Sequence, residues 1–447
     1  MALSPSIDPT VPKGEGDAIA SPLNVLLVGY NGANNTGAEA LLLSDIQDVR
    51  AVVGPDAQIT VPALEPANLR RYIQEGPRLR IAKLPTVFPA TVRRLVAEHD
   101  LVLLVEGSTY MDSWGSPLLW AFLWTTWCAH SLGKPCLAYA VDAGDLSPFN
   151  RRLVRLVASR TKLIVARSQA AADRLRSWQV SAPLEATADN AFNFSPSETD
   201  EGWVLRDWPL AAEGIVGIAA VDFHLWPVVA RPWGRREDCY RWPFYFSRSP
   251  ERRRASIELA TGYASLAEHI VERHGRAVAL ICMEQVDEPL ATEIQRRMAH
   301  ADHARVFSSR KHDASQMTAL LRSLDLLVTS RFHAGVLSLA ARVPQVAIGH
   351  DRRLDTLYRD LGLRDDFFVE SRSPAAFEAL EERVERLLAD PGIVAERLRR
   401  GYEHHLARAQ RNRKLLRAFV ASHLPSRVPL AIRRPAPATA RESEAVA

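Results

Sequence analysis

Arg331 and His333 stand two residues apart in Ser330-Arg331-Phe332-His333-Ala334, just after the apolar run Leu324-Asp325-Leu326-Leu327-Val328, which reads as a buried strand. A permanent cation and a titratable imidazole at that spacing could hold an anionic substrate and move a proton. Small and apolar residues follow, Gly335-Val336-Leu337-Ser338-Leu339-Ala340-Ala341, at a spacing that fits a buried helix. The pair therefore sits at a strand-to-helix junction on the carboxyl edge of a sheet. Open α/β sheets bind their ligands at that edge, and helix amides there receive anions. The same residues also suit a structural ion pair with a helix cap, so their surroundings must decide.

A similar junction opens the chain, where Asn31-Gly32-Ala33-Asn34-Asn35-Thr36-Gly37-Ala38-Glu39 follows an apolar run at residues 23–29. Its glycines allow close backbone approach, Thr36 is the expected N-cap, and Glu39 stands at the spacing of a capping box. The stretch is neither Gly-x-Gly-x-x-Gly nor a Gly-Lys-Ser/Thr phosphate loop, so dinucleotide or ATP binding is not indicated.

The elements that must position these residues fall into two alternating blocks. Strands are expected at 23–29, 57–61, 101–105, 135–140 and 162–166, with helices at 37–53, 117–132, 151–159 and 170–178. The second block has strands at 215–218, 277–282, 324–328 and 344–348 and a helix at 291–299. Strand–helix alternation predicts parallel, doubly wound sheets, and 447 residues predict two to three domains. The expected organisation is a disordered stretch 1–20, a Rossmann-like domain 21–195, a linker 196–213 and a Rossmann-like domain 214–375. Helices follow at 376–424, the last packing back across the domain junction, then a disordered tail 425–447. The fold class is α/β, two Rossmann-like domains facing a cleft, with a C-terminal helical extension.

Residues 222–254 break the pattern with Trp226, Trp233, Tyr240, Trp242, Phe244, Tyr245 and Phe246 among arginines and prolines. A loop of this length in a compact domain is commonly functional. It is expected to cover the cleft, with Trp233 and Trp242 stacking on sugar rings; packing onto the neighbouring domain is the alternative. Trp120, Trp124 and Trp127 recur at helical spacing and are expected as a core stripe.

Hydrophobic residues at 47% and charged residues at 24% describe a soluble globular chain. A net charge of +4 gives no bulk argument for nucleic acid. Arginines concentrate at 231–254, 397–414 and 433–434, which suits an anionic substrate or peripheral contact with a membrane surface. The four cysteines have no Cys-x-x-Cys spacing, so neither a zinc site nor a disulfide framework is expected. That fits a reducing cytosol, and residues 1–21 lack the apolar core of a signal peptide, so a cytoplasmic location is expected. The helix at 117–132 is shorter than the ~20 residues that span a bilayer.

In combination these turns resemble the polysaccharide pyruvyl transferase family over about residues 23–363. Gly29-Tyr30-Asn31-Gly32 with Asn35-Thr36-Gly37-Ala38-Glu39-Ala40 is similar to that family's first strand and Asn-x-Gly-Asp-Glu-Ala turn. Glu106-Gly107-Ser108 with Asp112 is similar to its second glycine-containing turn. Gly133-Lys134-Pro135, Ala166-Arg167-Ser168, Asp189-Asn190-Ala191-Phe192, Arg331-Phe332-His333-Ala334 and Val343-Pro344 follow in the family's order. The resemblance implies a GT-B-like pair of domains and transfer of pyruvate from phosphoenolpyruvate onto two hydroxyls of a glycan or lipid-linked sugar, as a cyclic ketal. No cofactor and no metal are implied, because phosphoenolpyruvate supplies its own activated carbon.

For that reaction Arg331 is expected to bind the donor's carboxylate or phosphate, and His333 to act as acid/base. Asp112 or Glu106 would assist as base or hold sugar hydroxyls, and Asn31, Asn35, Thr36, Gly37 and Glu39 would line the first wall. Arg353 stands where the family commonly has a lysine. Ala38 replaces the turn's Asp, Glu106 stands where glycine is common, and Ile218-Ala219-Ala220-Val221-Asp222 lacks the family's frequent basic residue. Two alternatives remain at this stage: a sugar-nucleotide glycosyltransferase of the same architecture, and a non-catalytic member serving glycan assembly.

Overall fold

Short aliphatic runs, buried on both faces, form the central strands of two parallel sheets, as expected where helices cover each face. The computed structural model describes residues 22–425, apart from 114, 225–227, 238–239, 248 and 350–351. The first sheet contains β1 (Asn24–Val28), β2 (Gln58–Ala63), β3 (Leu79–Lys83), β4 (Leu101–Leu104), β5 (Cys136–Val141), β6 (Leu163–Ala166) and β7 (Leu184–Ala186). Their order is β3-β2-β1-β4-β5-β6-β7. In the second block come β8 (Ile215–Ala219), β9 (Val228–Ala230), β10 (Phe244–Phe246), β11 (Ala277–Cys282), β12 (Ala304–Ser308), β13 (Leu326–Thr329), β14 (Gln345–Gly349) and β15 (Phe368–Glu370). The second sheet runs β12-β11-β8-β13-β14-β15, while β9 and β10 form a separate antiparallel pair inside the aromatic insertion.

In the two parallel sheets, four strands escape the sequence pattern: β3, β7, β12 and β15. All are sheet edges. An edge strand carries polar residues such as Arg80, Glu185, Arg305 and Glu370, which break the apolar run that marks a central strand.

Residues 196–213 do not form a free linker. Trp203 and Trp208 are buried, with ring centroids 5.8 and 5.6 Å from that of Phe307 on β12, so the segment seals one edge of the second core. Of the stripe Trp120, Trp124 and Trp127, only Trp124 packs against the first core, and it is partly buried. The helix Ser116–Ser131 turns Leu119, Phe122 and Leu123 inward, leaving Trp120 and Trp127 43% and 42% exposed.

The final helix, Gly392–His423, carries Val394 and Leu398 in the second core and Leu416, Phe419 and Val420 in the first. Arg413 Nε meets Asp48 at 2.6 Å, and Asn412 Nδ2 donates to Asn190 and to the Ala188 carbonyl. The stretches expected to be disordered, 1–20 and 425–447, lie outside the described residues apart from Pro425. Among the described residues no helix is long and apolar enough to cross a membrane.

Candidate active site

The carboxyl ends of the two sheets face each other across a cavity of about 1330 Å³. Arg167 follows β6, Asp189 follows β7, and Arg353 follows β14. A smaller hollow of about 50 Å³ adjoins it, since Phe332 and Arg353 line both. Asn35, Gly37, Glu106, Arg331, His333 and Arg353 all line the smaller one, so residues from four separate turns meet there. Asn31, Thr36, Glu39 and Asp112 line neither.

His333 Nε2 lies 3.6 Å from Asp189 Oδ2 and has no hydrogen-bond partner, although the side chain is only 15% exposed. Asp189 is itself gripped by Arg167, whose Nη1 donates at 2.7 Å while its Nε donates to Asp142 at 2.9 Å. Burial pushes the Asp189 carboxyl up, but Arg167 and His333 outweigh it and hold the group well below the usual carboxylate range. The Arg167 guanidinium also lies 4.4 Å from the Phe332 ring centroid, stacking the residue beside His333. Gly37 has no side chain for a packing reason: a Cβ there would collide with the His333 ring. The N-terminus of the helix Thr36–Val53 is thereby brought onto the imidazole.

Arg331 departs from the expected role. Its Nε and Nη2 both donate to the Asp287 carboxylate, and Nη1 donates to Glu284 at 3.2 Å. Burial works against its charge, yet Asp287 and Glu284 outweigh that and raise its pKa further. A guanidinium occupied on all three nitrogens ties the end of β13 to the turn after β11.

The Asn31–Gly37 turn departs too. The N-cap is Asn35, whose side chain accepts from Ala38 N at 3.1 Å, and Thr36 N donates to the Met283 carbonyl at 2.8 Å. Gln285 N donates to the Asn34 carbonyl, and Ser309 Oγ donates to the same oxygen at 2.6 Å. Glu39 makes no capping box; it accepts from Arg71 Nη2 at 3.1 Å, and Arg71 also reaches Asn34 and the Ser309 carbonyl. Asn31 donates to the Pro62 carbonyl inside the first domain. What reads as a phosphate cradle is a joint between the domains.

Asp112 accepts from Ser147 N at 3.0 Å and Asn150 Nδ2 at 2.7 Å, fixing the starts of two helices. Glu106 accepts from Tyr30 N and from Ser108 at the wall of the smaller hollow. The aromatic insertion reaches that hollow through Tyr240, whose hydroxyl lies 2.7 Å from that of Tyr30. Arg241 Nη1 anchors it to Glu65 at 2.7 Å. Trp233 and Trp242 are 76% and 58% exposed and line neither cavity, so the covering contact belongs to tyrosine; Trp226 lies outside the described residues. Arg167, Asp142 and Asp189 were not singled out by role in the sequence, although Arg167 and Asp142 sit just past apolar runs, the signal that located Arg331; Asp189 follows β7, where Glu185 breaks that signal. Among the described residues, the two groups able to hold a metal ion, His269/His274/Glu385 and Glu268/Glu272/His300, line neither cavity.

The sequence profile of the family described as "Polysaccharide pyruvyl transferase" matches residues 35–352. Among solved structures, the Anabaena protein Alr3699/HepE in complex with UDP is similar at 14% identity and a TM-score of 0.53, covering 90% of this chain and 100% of that one. A UDP-GlcNAc 2-epimerase from Neisseria meningitidis bound to UDP-GlcNAc is similar at 10% identity and a TM-score of 0.58, covering 90% and 100%. The α,α-trehalose 6-phosphate synthase of Burkholderia multivorans gives 12% identity and a TM-score of 0.51, covering 93% and 99%. These likenesses are of fold, the GT-B pair of Rossmann-like domains. No protein of curated function matches the chain in sequence.

Proposed function

The chain belongs to the polysaccharide pyruvyl transferase family, and from that premise we propose that it transfers pyruvate from phosphoenolpyruvate to two hydroxyls of a glycan sugar. The observation that supports this reading most is His333: an imidazole whose Nε2 faces Asp189 and whose ring abuts the Gly37 helix end, at the wall of the smaller hollow. The reaction needs a proton delivered to the methylene carbon of the donor and one removed from the first sugar hydroxyl, which bonds to the enol carbon. The second hydroxyl then takes the place of phosphate at that carbon, its proton leaving with the departing group. One imidazole that both accepts and donates can serve both transfers. Asp189 stabilises the imidazolium formed when His333 takes the hydroxyl proton. Glu106 orients sugar hydroxyls in the same hollow.

The donor carries a carboxylate and a phosphate, and Arg353 faces both hollows. Arg353 and Arg372, at the wall of the larger cavity, take the anionic ends in this reading. The test is phosphate release from phosphoenolpyruvate with a candidate glycan, followed by the product's mass. The parent should form the ketal, and His333→Gln should lose ~10²–10⁴-fold in rate with donor affinity largely kept.

A second reading, transfer from a sugar nucleotide, draws on the size of the main cavity and on the UDP and UDP-GlcNAc named with the similar folds. Thermal shift separates the two, because only a ligand of the folded state raises its stability. A rise with UDP-sugar and none with phosphoenolpyruvate would favour the second.

A further inference from the structure

The helices Ser116–Ser131 and Pro148–Ala158 lie side by side on the first domain, linked by Trp120 Nε1 donating to Asn150 Oδ1 at 2.9 Å. Their outer surface is unusually apolar. Trp120, Trp127, Phe149 and Leu156 are all exposed, Phe149 and Leu156 by 62% and 63%. Four exposed apolar side chains of this size on two adjoining helices point to an interaction surface rather than ordinary scatter.

Charge says what that surface meets. Neither helix contains an Asp or a Glu. Arg151, Arg152 and Arg155 are exposed beside Phe149 and Leu156, and no described ion pair or side-chain hydrogen bond engages their guanidinium groups. Arg160 lies over the Trp127 ring, 5.1 Å from its centroid. Exposed indole rings on one helix and unpaired arginines on the next are suited to the lipid–water boundary, where tryptophan is enriched and anionic headgroups attract cations.

Position gives the surface a purpose. Both helices begin at the rim of the main cavity, three residues after Ser113 and Asp145, which line it. Asn150 Nδ2 binds Asp112 and Ser116 Oγ, so the two helix starts and the rim form one rigid unit. We propose that this face docks on an anionic bilayer and so presents the cleft to an acceptor sugar carried on a membrane-embedded lipid. The docking stands on the surface alone; the lipid-linked acceptor rests on the pyruvyl-transfer reading.

The experiment is co-sedimentation of the full chain with vesicles of phosphatidylcholine, with and without phosphatidylglycerol, across a salt series. The expected result is binding to the anionic vesicles that weakens as salt rises. Arg152→Glu/Arg155→Glu should weaken it by about fivefold or more per arginine, the factor that ~1 kcal/mol per cation represents. Phe149→Ser/Leu156→Ser and Trp127→Ser should weaken it with unchanged melting temperatures. With a water-soluble acceptor these variants should release phosphate as fast as the parent, and with a vesicle-embedded acceptor they should slow. Parent binding that is equal on both vesicle types, or unaffected by the apolar substitutions, would overturn the proposal. So would a dimer by light scattering that the same substitutions dissociate, since the face would then belong to a second copy. Vesicle binding without any use of phosphoenolpyruvate would uphold the docking and reject only the transfer reading.

Discussion

Arg331 and His333 share a junction, yet their surroundings set them to different work. Removing Arg331 strands the carboxylates of Asp287 and Glu284, both buried. Arg331→Ala should therefore cost stability, by about 3–5 kcal/mol in urea denaturation, whereas His333→Gln should leave stability nearly intact and lose rate. An Arg331→Ala protein of parental stability with weakened donor binding would restore the anion-binding role. Glu39 gives a pH test. Burial pushes its carboxyl up to about 8 from an ordinary 4.5, with Arg71 offsetting only part. The folded chain then keeps a proton that the unfolded chain has released, so this group's contribution to stability falls as pH rises from about 4.5 to about 8. Glu39→Gln should flatten that fall, read as urea midpoints at about pH 5 and pH 9; parallel curves would refute the assignment. The sequence revealed that Arg331 and His333 share a junction because a strand and a helix signal bracket them. It could not reveal Arg331's partners, which lie 44 and 47 residues upstream on another turn with no local mark.

At the scale of elements, the helix Thr36–Val53 and the turn after β13 meet with nothing between Gly37 and an imidazole. Gly37→Ala should displace His333 and cut transfer by at least tenfold while the helix still forms, since alanine is the better helix former. A circular dichroism spectrum like the parent's together with slowed phosphate release would show this; parental activity would mean that the ring can retreat without consequence. Central strands were readable because each is a short aliphatic run, and β3, β7, β12 and β15 were not, because one side of each has no strand beside it. The Trp120–Trp127 stripe was misread for a related reason. Helical spacing shows that side chains share a face, and only the fold shows whether that face is covered.

Across the whole molecule, the final helix contributes five large apolar side chains, Val394 and Leu398 to one core and Leu416, Phe419 and Val420 to the other. At about 1.5–3 kcal/mol each, they rival the 5–15 kcal/mol that holds a typical protein folded. Removing residues 392–447 should leave the first sheet open to limited proteolysis, with loss of cooperative melting; a truncated chain that melts as sharply as the parent would show the helix to be an accessory. The two-domain plan was legible because strand and helix signals alternate twice with a break near residue 200. The joint was not, because Asn34, Asn35 and Thr36 carry turn and cap chemistry that serves a ligand or a neighbouring main chain equally well. That joint has a mechanical consequence. Main-chain bonds from Asn34 and Thr36 to Gln285 and Met283 pin the domains beside His333, while at the larger cavity Arg352 and Asp145 meet only as an exposed pair at 3.2 Å. The pinned side is placed as a fulcrum and the exposed pair as a latch, so any opening of the cleft would widen the larger cavity while the small chamber around the imidazole keeps its dimensions.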